Sequence, residues 1–332
     1  MTYNIVKSKF YYSKTLVCFL LCVTFLSLIA TSCRNKDKSA APAKCEGYFV
    51  SIFNMGNTET RNILCLTNAE NNYGFYNAIS VSDDYGALNW RNQRYYSFVP
   101  YITGVEFRYA KIYDSDETEL GTYIFNDTTK HAPLNIDIIC NSLSDILYCF
   151  TTQSDSTKLY EVSRNGMFNV HLIGVYDTSL NIRTAAVDET TGNIFAMQGN
   201  TLKKIDPNNG NASEVATYTD SQPRKLYYND NDKMIYAVDR VGQYRLLRIN
   251  PADGVLNVQG IIDGMDSLNF YQIAFDHCNN QLIHLRYQNP PSTFYLDAYW
   301  INLKDASIAS SLPNIWSGYV LGYINGKFPE KK

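Results

Sequence analysis

Residues 182–198 read "IRTAAVDETTGNIFAMQ", two short apolar runs around a polar knot of Asp188, Glu189, Thr190, Thr191, Gly192 and Asn193. Short apolar runs separated by Asx and Gly turn residues read as a β-hairpin and not as a helix. The same frame, an Asx residue followed six positions later by a new apolar run, recurs four times. It stands at Asn89 ("ALNWRNQRYYS"), Asn141 ("IICNSLSDILYC"), Asn229 ("LYYNDNDKMIYA") and Asp276 ("IAFDHCNNQLIH"). From Asn89 through Asn141, Asp188 and Asn229 to Asp276 the steps are 52, 47, 41 and 47 residues, each near the length of one four-stranded propeller blade.

A second marker lies downstream of the first. In "TLKKIDPNNG" (201–210) Ile205 closes a strand and Asp206, Pro207 and Gly210 supply turn chemistry. Equivalent apolar positions are Leu66, Ile112, Val162, Ile249 and Ile301. Six markers, each followed by one further β-type run, predict an all-β, six-bladed β-propeller with strands A to D in each blade. A seven-bladed count would need a degenerate repeat that neither marker detects. Before "GYFVSIFN" (47–54), which takes the strand B position of the first blade, no strand A is present. The segment "SGYVLGYING" (317–326) remains after the last blade, and is expected to supply that strand and close the ring.

The N-terminus reads as a targeting segment. Lys7, Lys9 and Lys14 precede the apolar run "TLVCFLLCVTFLSLIA" (15–30), and small residues lead to Cys33. The stretch "IATSC" resembles a bacterial lipobox, which implies cleavage before Cys33 and its acylation, with Ala30 standing where a leucine is usual. The chain then divides into a signal peptide (1–32), a lipidated tether (33–46) and the propeller domain (47–326). Removing residues 1–32, which hold three Lys and no acid, takes the net charge from −3 to −6. An acidic domain does not suit nucleic acid, whose phosphates call for basic patches. The partner expected from this end is a lipid bilayer, and the expected address is the outer membrane of a cell envelope, on its periplasmic or its exposed side.

The stretches "PRKLYYNDNDKMIYAVD" (223–239) and "YRLLRINPADG" (244–254) resemble the repeats of NHL-type and quinoprotein-like propellers. The lipoprotein signal with a Tyr- and Asn-rich body also resembles surface lipoproteins of Bacteroidota. These likenesses imply a propeller and identify no activity. "AAVDETTG" (185–192) resembles part of a quinoprotein docking repeat, but the tryptophan expected four residues after the glycine is Ala196. No quinone or other cofactor is expected.

Catalytic motifs do not appear: there is no H-E-x-x-H, G-x-S-x-G or P-loop. His277 and His284 lie seven residues apart without a third ligand at motif spacing. "DSDE" (114–117) and "NDND" (229–232) do not continue as calcium loops and read as turn residues. No metal is expected. A turn centred on Ser144 and Asp145 would set Cys140 opposite Cys149, leaving two readings, a cross-strand disulfide or two buried thiols. The small apolar residues at the matching positions, Val187 and Ala196, favour the thiols.

Five residues before successive Asx markers, where strand A begins, stand Asp84, Ile136, Arg183, Arg224 and Tyr271. Arg183 and Arg224 share this position in neighbouring blades, so both are expected at one rim of the channel. There they would either bind a carboxylate or sulfate or strut one blade to the next, and Tyr271 joins them as a ligand-binding candidate. The function expected is a non-catalytic binding or scaffolding module for a glycan, a peptide or a partner protein, the 27 Tyr suiting sugar stacking. The alternative is a hydrolase or lyase at the channel mouth, recognisable by two carboxylates or a His–acid pair converging in the channel.

Overall fold

A computed structural model describes residues 47–54, 62–68, 73–79, 86–100, 104–111, 118–124, 135–152, 156–163, 169–177, 185–263, 273–287, 295–316 and 319–325. Among them are six antiparallel four-stranded sheets and no helix. The first contains β1 (Gly47–Asn54), β2 (Asn62–Asn68) and β3 (Tyr73–Ile79); the second β4 (Gly86–Asn89), β5 (Arg94–Pro100), β6 (Gly104–Lys111) and β7 (Thr118–Ile124). The third is β8 (Asn135–Asn141), β9 (Ile146–Thr152), β10 (Ser156–Ser163) and β11 (Asn169–Asp177). The fourth is β12 (Ala185–Val187), β13 (Ile194–Gln198), β14 (Thr201–Ile205) and β15 (Ala212–Thr217). The fifth is β16 (Arg224–Asn229), β17 (Met234–Val241), β18 (Gln243–Ile249) and β19 (Leu256–Ile261). The sixth is β20 (Ile273–Asp276), β21 (Gln281–Tyr287), β22 (Tyr295–Asn302) and β23 (Ile308–Trp316). The last strand of the chain, β24 (Tyr319–Asn325), completes the first sheet by pairing antiparallel with β1 from Gly47↔Asn325 to Ile52↔Tyr319.

The inner-edge strands follow one another around a ring, β24 beside β4, then β8, β12 and β16, with β20 returning to β24. Between β16 and β20 the Tyr227 hydroxyl donates to the carbonyl of Ile273. The apolar core lies between successive sheets. Tyr236, Val238 and Leu246 of the fifth sheet pack on Phe275, Leu282 and Ile301 of the sixth, and Phe49 of the first packs on Ala274, Ile283 and Trp300 of the sixth. Among the described residues the core is thus continuous from the third sheet through the fourth, fifth and sixth to Phe49 of the first.

The third and fourth strands of every sheet share a further device. Their register slips once in each of the first five sheets, after Ile63, Phe107, Leu159, Leu202 and Leu246, and twice in the sixth, between Leu296 and Ala298 and between Trp300 and Ile301. A bulge adds twist and bends the outer strand. In the second sheet this frame and the pair Tyr95↔Ala110 assign to Ala110 the place that Ile205 holds opposite Ile194. The sequence marker Ile112 was therefore two residues late, and it lies outside the described residues.

The outer strands of the third, fourth and fifth sheets lie against the turn between the third and fourth strands of the next sheet. A Cβ on Gly254 would come within 2.2 Å of the Ala216 Cβ, one on Gly210 within 2.4 Å of the Ile173 carbonyl oxygen, and one on Gly260 within 2.5 Å of the Asp305 oxygen. Gly210 and Gly254 also hold φ of 70° and 72°, a backbone region that L side chains enter at a cost. Tyr176 and Tyr218 seal the same joints by donating to the carbonyls of Gly210 and Gly254, at 2.8 and 3.0 Å.

Candidate functional site

The five Asx markers build five matching turns at the inner edge. Asn89, Asn141, Asp188, Asn229 and Asp276 are all buried. The side-chain oxygen of each accepts N–H groups two or three residues ahead, as in Asn92 N–H to Asn89 Oδ1 at 2.9 Å and Thr190 N–H to Asp188 Oδ1 at 3.0 Å. Four residues after each marker the chain turns left-handed: φ is 52° at Gln93, 60° at Asp145, 77° at Gly192, 57° at Lys233 and 55° at Asn280. Neighbouring turns are tied together. Asn89 Nδ2 donates to Asp145 Oδ1 at 2.6 Å, Asn141 Nδ2 to the Glu189 carbonyl at 3.1 Å, and Asn229 Nδ2 to Asn280 Oδ1 at 2.6 Å.

Residues just after the markers then meet across the ring, although they come from non-adjacent sheets. The indole of Trp90 lies parallel to the imidazole of His277, with centroids 4.1 Å apart and planes 9° apart. Its Nε1 donates to Glu189 Oε1 at 3.0 Å. The guanidinium of Arg91 covers the Trp90 ring at 4.2 Å and donates through Nε to Glu189 Oε2 at 2.8 Å. Asp230 Oδ2 lies 3.7 Å from Arg91, and its Oδ1, buried without a hydrogen-bond donor, lies 3.5 Å from the Lys233 ammonium. Lys233 also donates to Thr190 Oγ1 at 3.1 Å.

The electrostatics follow from this crowding. Burial pushes the His277 pKa down to about 4, the Glu189 charge opposing and the Arg91 charge assisting, so the ring is neutral at neutral pH. Burial raises the Asp230 carboxyl above its usual range, the charge of Glu189 raises it further and Lys233 offsets part of the rise. Two carboxylates and a histidine do converge here, which is the arrangement expected of a hydrolytic reading. Yet both oxygens of Glu189 are already engaged by Trp90 and Arg91, and one face of His277 is covered by Trp90. The cluster ties together turns of four sheets, the second, fourth, fifth and sixth.

The opposite end of the inner strands carries the loops between sheets. One of them, 218–223, is anchored by Asp239, whose side chain is fully buried. Arg245 forks onto both of its oxygens, Nε to Oδ1 at 2.8 Å and Nη2 to Oδ2 at 2.5 Å; Ser221 Oγ donates to Oδ2, and Arg245 Nη2 reaches the Asp220 carbonyl at 3.2 Å. The loop leads into Arg224, which opens β16 exposed to solvent, its Nη2 donating to Gln222 Oε1 at 2.9 Å.

Of the residues singled out in the sequence, Arg224 therefore sits at the loop end, whereas Arg183, Tyr271, Asp84 and Cys33 lie outside the described residues, as do the signal segment and tether before Gly47. Cys140 and Cys149 are not disulfide-bonded, which is the thiol reading of the two considered. The turn spans four residues, 142–145, and the register pairs Cys140 with Leu147 and Cys149 with Ile138. His277 and His284 are not brought together: the first lies in the turn, the second opposite Ile273 inside the sheet. Trp90, Glu189, Asp230 and His277 were missed as a group. The signal that finds them is the position after each Asx marker, read down the five copies.

No family model matches the sequence, and neither does any curated protein. Solved structures do match in fold. TolB from Acinetobacter baumannii superposes with a TM-score of 0.59 at 10% identity, over 85% of this chain and 67% of that one. A chain of a nidogen/laminin complex gives 0.54 at 13%, over 84% and 97%. A protein provisionally assigned as a 6-phosphogluconolactonase from Bacteroides fragilis gives 0.53 at 9%, over 87% and 100%. At such identities the likeness speaks for the fold alone, and with the sheets described above it defines an all-β, β-propeller-like protein.

Proposed function

We propose that the six sheets are the six blades of one propeller, closed by the C-terminal strand, and that this disc is held on the cell envelope through acylated Cys33 as a non-catalytic binding or scaffolding module. The observation that carries the reading is the anchored loop 218–223. A buried Asp239 with a bidentate Arg245 holds its backbone, so Arg224 and Gln222 are presented at the channel mouth by a preorganised loop, which lowers the ordering cost of binding. The partner chemistry that fits is an anionic glycan or peptide, on Arg224 and on Arg183 at the equivalent position. Gly47 pairs with Asn325, at the end of the inner strand next to the turns.

A second reading, hydrolysis or lyase chemistry on an extracellular polymer, is favoured by the convergence of Glu189, Asp230 and His277 and by the enzyme's name given to one structural neighbour. The engagement of both Glu189 oxygens supports a structural role instead. The test is an array of uronic-acid and sulfated oligosaccharides and acidic peptides, read for binding and for cleavage. Binding without turnover is expected; turnover abolished by Glu189→Gln would establish the second reading. For the anchor, Cys33→Ala is expected to remove labelling by a palmitate analogue and leave the precursor unprocessed.

A further inference from the structure

Lys225 holds φ at 51°, and among the described residues it is the one left-handed position inside a strand and not in a turn. It sits in a bulge. Between Arg224, opposite Val238, and Tyr227, opposite Tyr236, β16 advances three residues while β17 advances two. An L residue enters this backbone region at a cost, and a bulge re-aims the side chains around it. Leu226, Tyr227 and Tyr228 beyond it pack into the core on either side of the sheet. What the bulge sets is therefore the start of the strand, where Arg224 and Lys225 follow the anchored loop 218–223.

The turn between β17 and β18 lies at the same end. Arg240 stands two residues past Val238, about 7 Å along the strand, with its guanidinium 5.5 Å from the centre of the Tyr244 ring. Val241 follows it, 52% exposed. Gly242 keeps the turn open, with φ of 75° and nothing within 4 Å of an added Cβ. The acids at this end of the sheet are Asp239, held by Arg245, and Asp220 and Asp263 in the flanking loops. Cations thus border an exposed aliphatic side chain on a chain whose net charge is −3. A sugar would call for an exposed aromatic face. Tyr244 is buried, and among the residues with described side chains no Phe, Tyr or Trp is exposed.

We propose that the loop end of the fifth sheet, formed by Arg224, Lys225, Arg240 and Val241, docks an acidic segment of a partner polypeptide. Carboxylates of the segment meet the three cations, and an aliphatic side chain between them covers Val241. The proposal rests on the binding-module reading above and narrows its ligand from an anionic glycan or peptide to a polypeptide. A left-handed lysine next to an arginine is a cost carried by the free protein, and the partner's carboxylates offset the like-charge part of it.

The experiment measures, with the full chain, the binding of three fluorescently labelled probes. They are the pentapeptide Glu-Glu-Leu-Glu-Glu with capped ends, its neutral counterpart Gln-Gln-Leu-Gln-Gln, and tetragalacturonate, which carries as many carboxylates as the first. The acidic pentapeptide is expected to bind, less tightly as salt rises, and the other two at least about tenfold more weakly. Lys225→Gln and Arg240→Gln are each expected to weaken its binding by about 5–20-fold, and Val241→Ser by about 3–10-fold. Lys225→Gly removes both the ammonium and the backbone cost, so binding should fall as in Lys225→Gln while Tm rises by about 1–3 °C. Binding that survives both Lys225 variants assigns the bulge to the fold alone and overturns the proposal. Binding of tetragalacturonate in place of the pentapeptide also overturns it and leaves the binding-module reading standing. Binding of neither overturns it as well, and the broader array of oligosaccharides and peptides then decides the binding-module reading by itself.

Discussion

Asp239 is a fully buried carboxylate whose two oxygens meet Arg245 and Ser221. Asp239→Ala would leave the Arg245 guanidinium without its carboxylate in a partly buried place, so a loss of about 3–5 kcal/mol is expected in chemical denaturation, together with increased proteolysis at loop 218–223. His277 poses a different problem at the same scale. Its folded pKa of about 4 lies below the unfolded value near 6.5, so between these limits the unfolded chain binds the extra proton. Stability is therefore fully present above about pH 6.5 and declines as the pH falls towards 4, by about 2–3 kcal/mol from this group. Asp230, with a raised pKa, works in the opposite sense, its contribution falling as the pH rises above the ordinary carboxyl range. Melting curves of His277→Gln and the parent protein should converge as the pH falls from 6.5 to 4. Curves that stay parallel would remove His277 from the account.

The repeated joints between an outer strand and the next turn define the scale of elements. Gly254→Ala has to place a Cβ within 2.2 Å of the Ala216 Cβ while holding φ at 72°, and is expected to lower stability by about 2–4 kcal/mol. Gly199 also has a positive φ, 58°, but nothing lies within 4 Å of its added Cβ, so Gly199→Ala should cost only about 1 kcal/mol. Equal costs measured by denaturant unfolding would show that backbone conformation alone, and not the joint, sets the price. Much of this scale was legible in the sequence, because an Asx residue at a turn's first position leaves a visible mark and six-residue spacing to the next apolar run follows from it. The left-handed residue four places on was not legible. Only at Gly192 is it a glycine; Gln93, Asp145, Lys233 and Asn280 adopt the same conformation without advertising it. That hidden position lengthens the turn after Asn141 and moves the register away from Cys140 opposite Cys149. The convergence of Trp90, Arg91, Glu189, Asp230 and His277 was hidden for another reason. It depends on side chains from four sheets meeting across an axis, which no spacing along one strand reveals.

At the scale of the whole molecule, the ring joins its ends through β24 on β1 and through Phe49 on the sixth sheet. Deleting residues 317–332 would expose the edge of β1 and unpair an inner strand, so loss of cooperative unfolding and of solubility is expected; an unchanged Tm would show the tail to be an appendage. The inner strands have two ends, and the described residues divide their chemistry between them. At the turn end the charged groups are consumed in holding the turns together, and at the loop end a buried ion pair fixes a loop that presents polar side chains outward. The most direct measurement of that division compares Arg183→Gln/Arg224→Gln with Glu189→Gln/Asp230→Asn on one array of acidic oligosaccharides and peptides, with Tm recorded for each. The account predicts that the arginine variant loses binding and keeps its Tm, while the carboxylate variant keeps binding and melts lower. Retained binding in the arginine variant, with binding or turnover lost in the carboxylate variant, would contradict it.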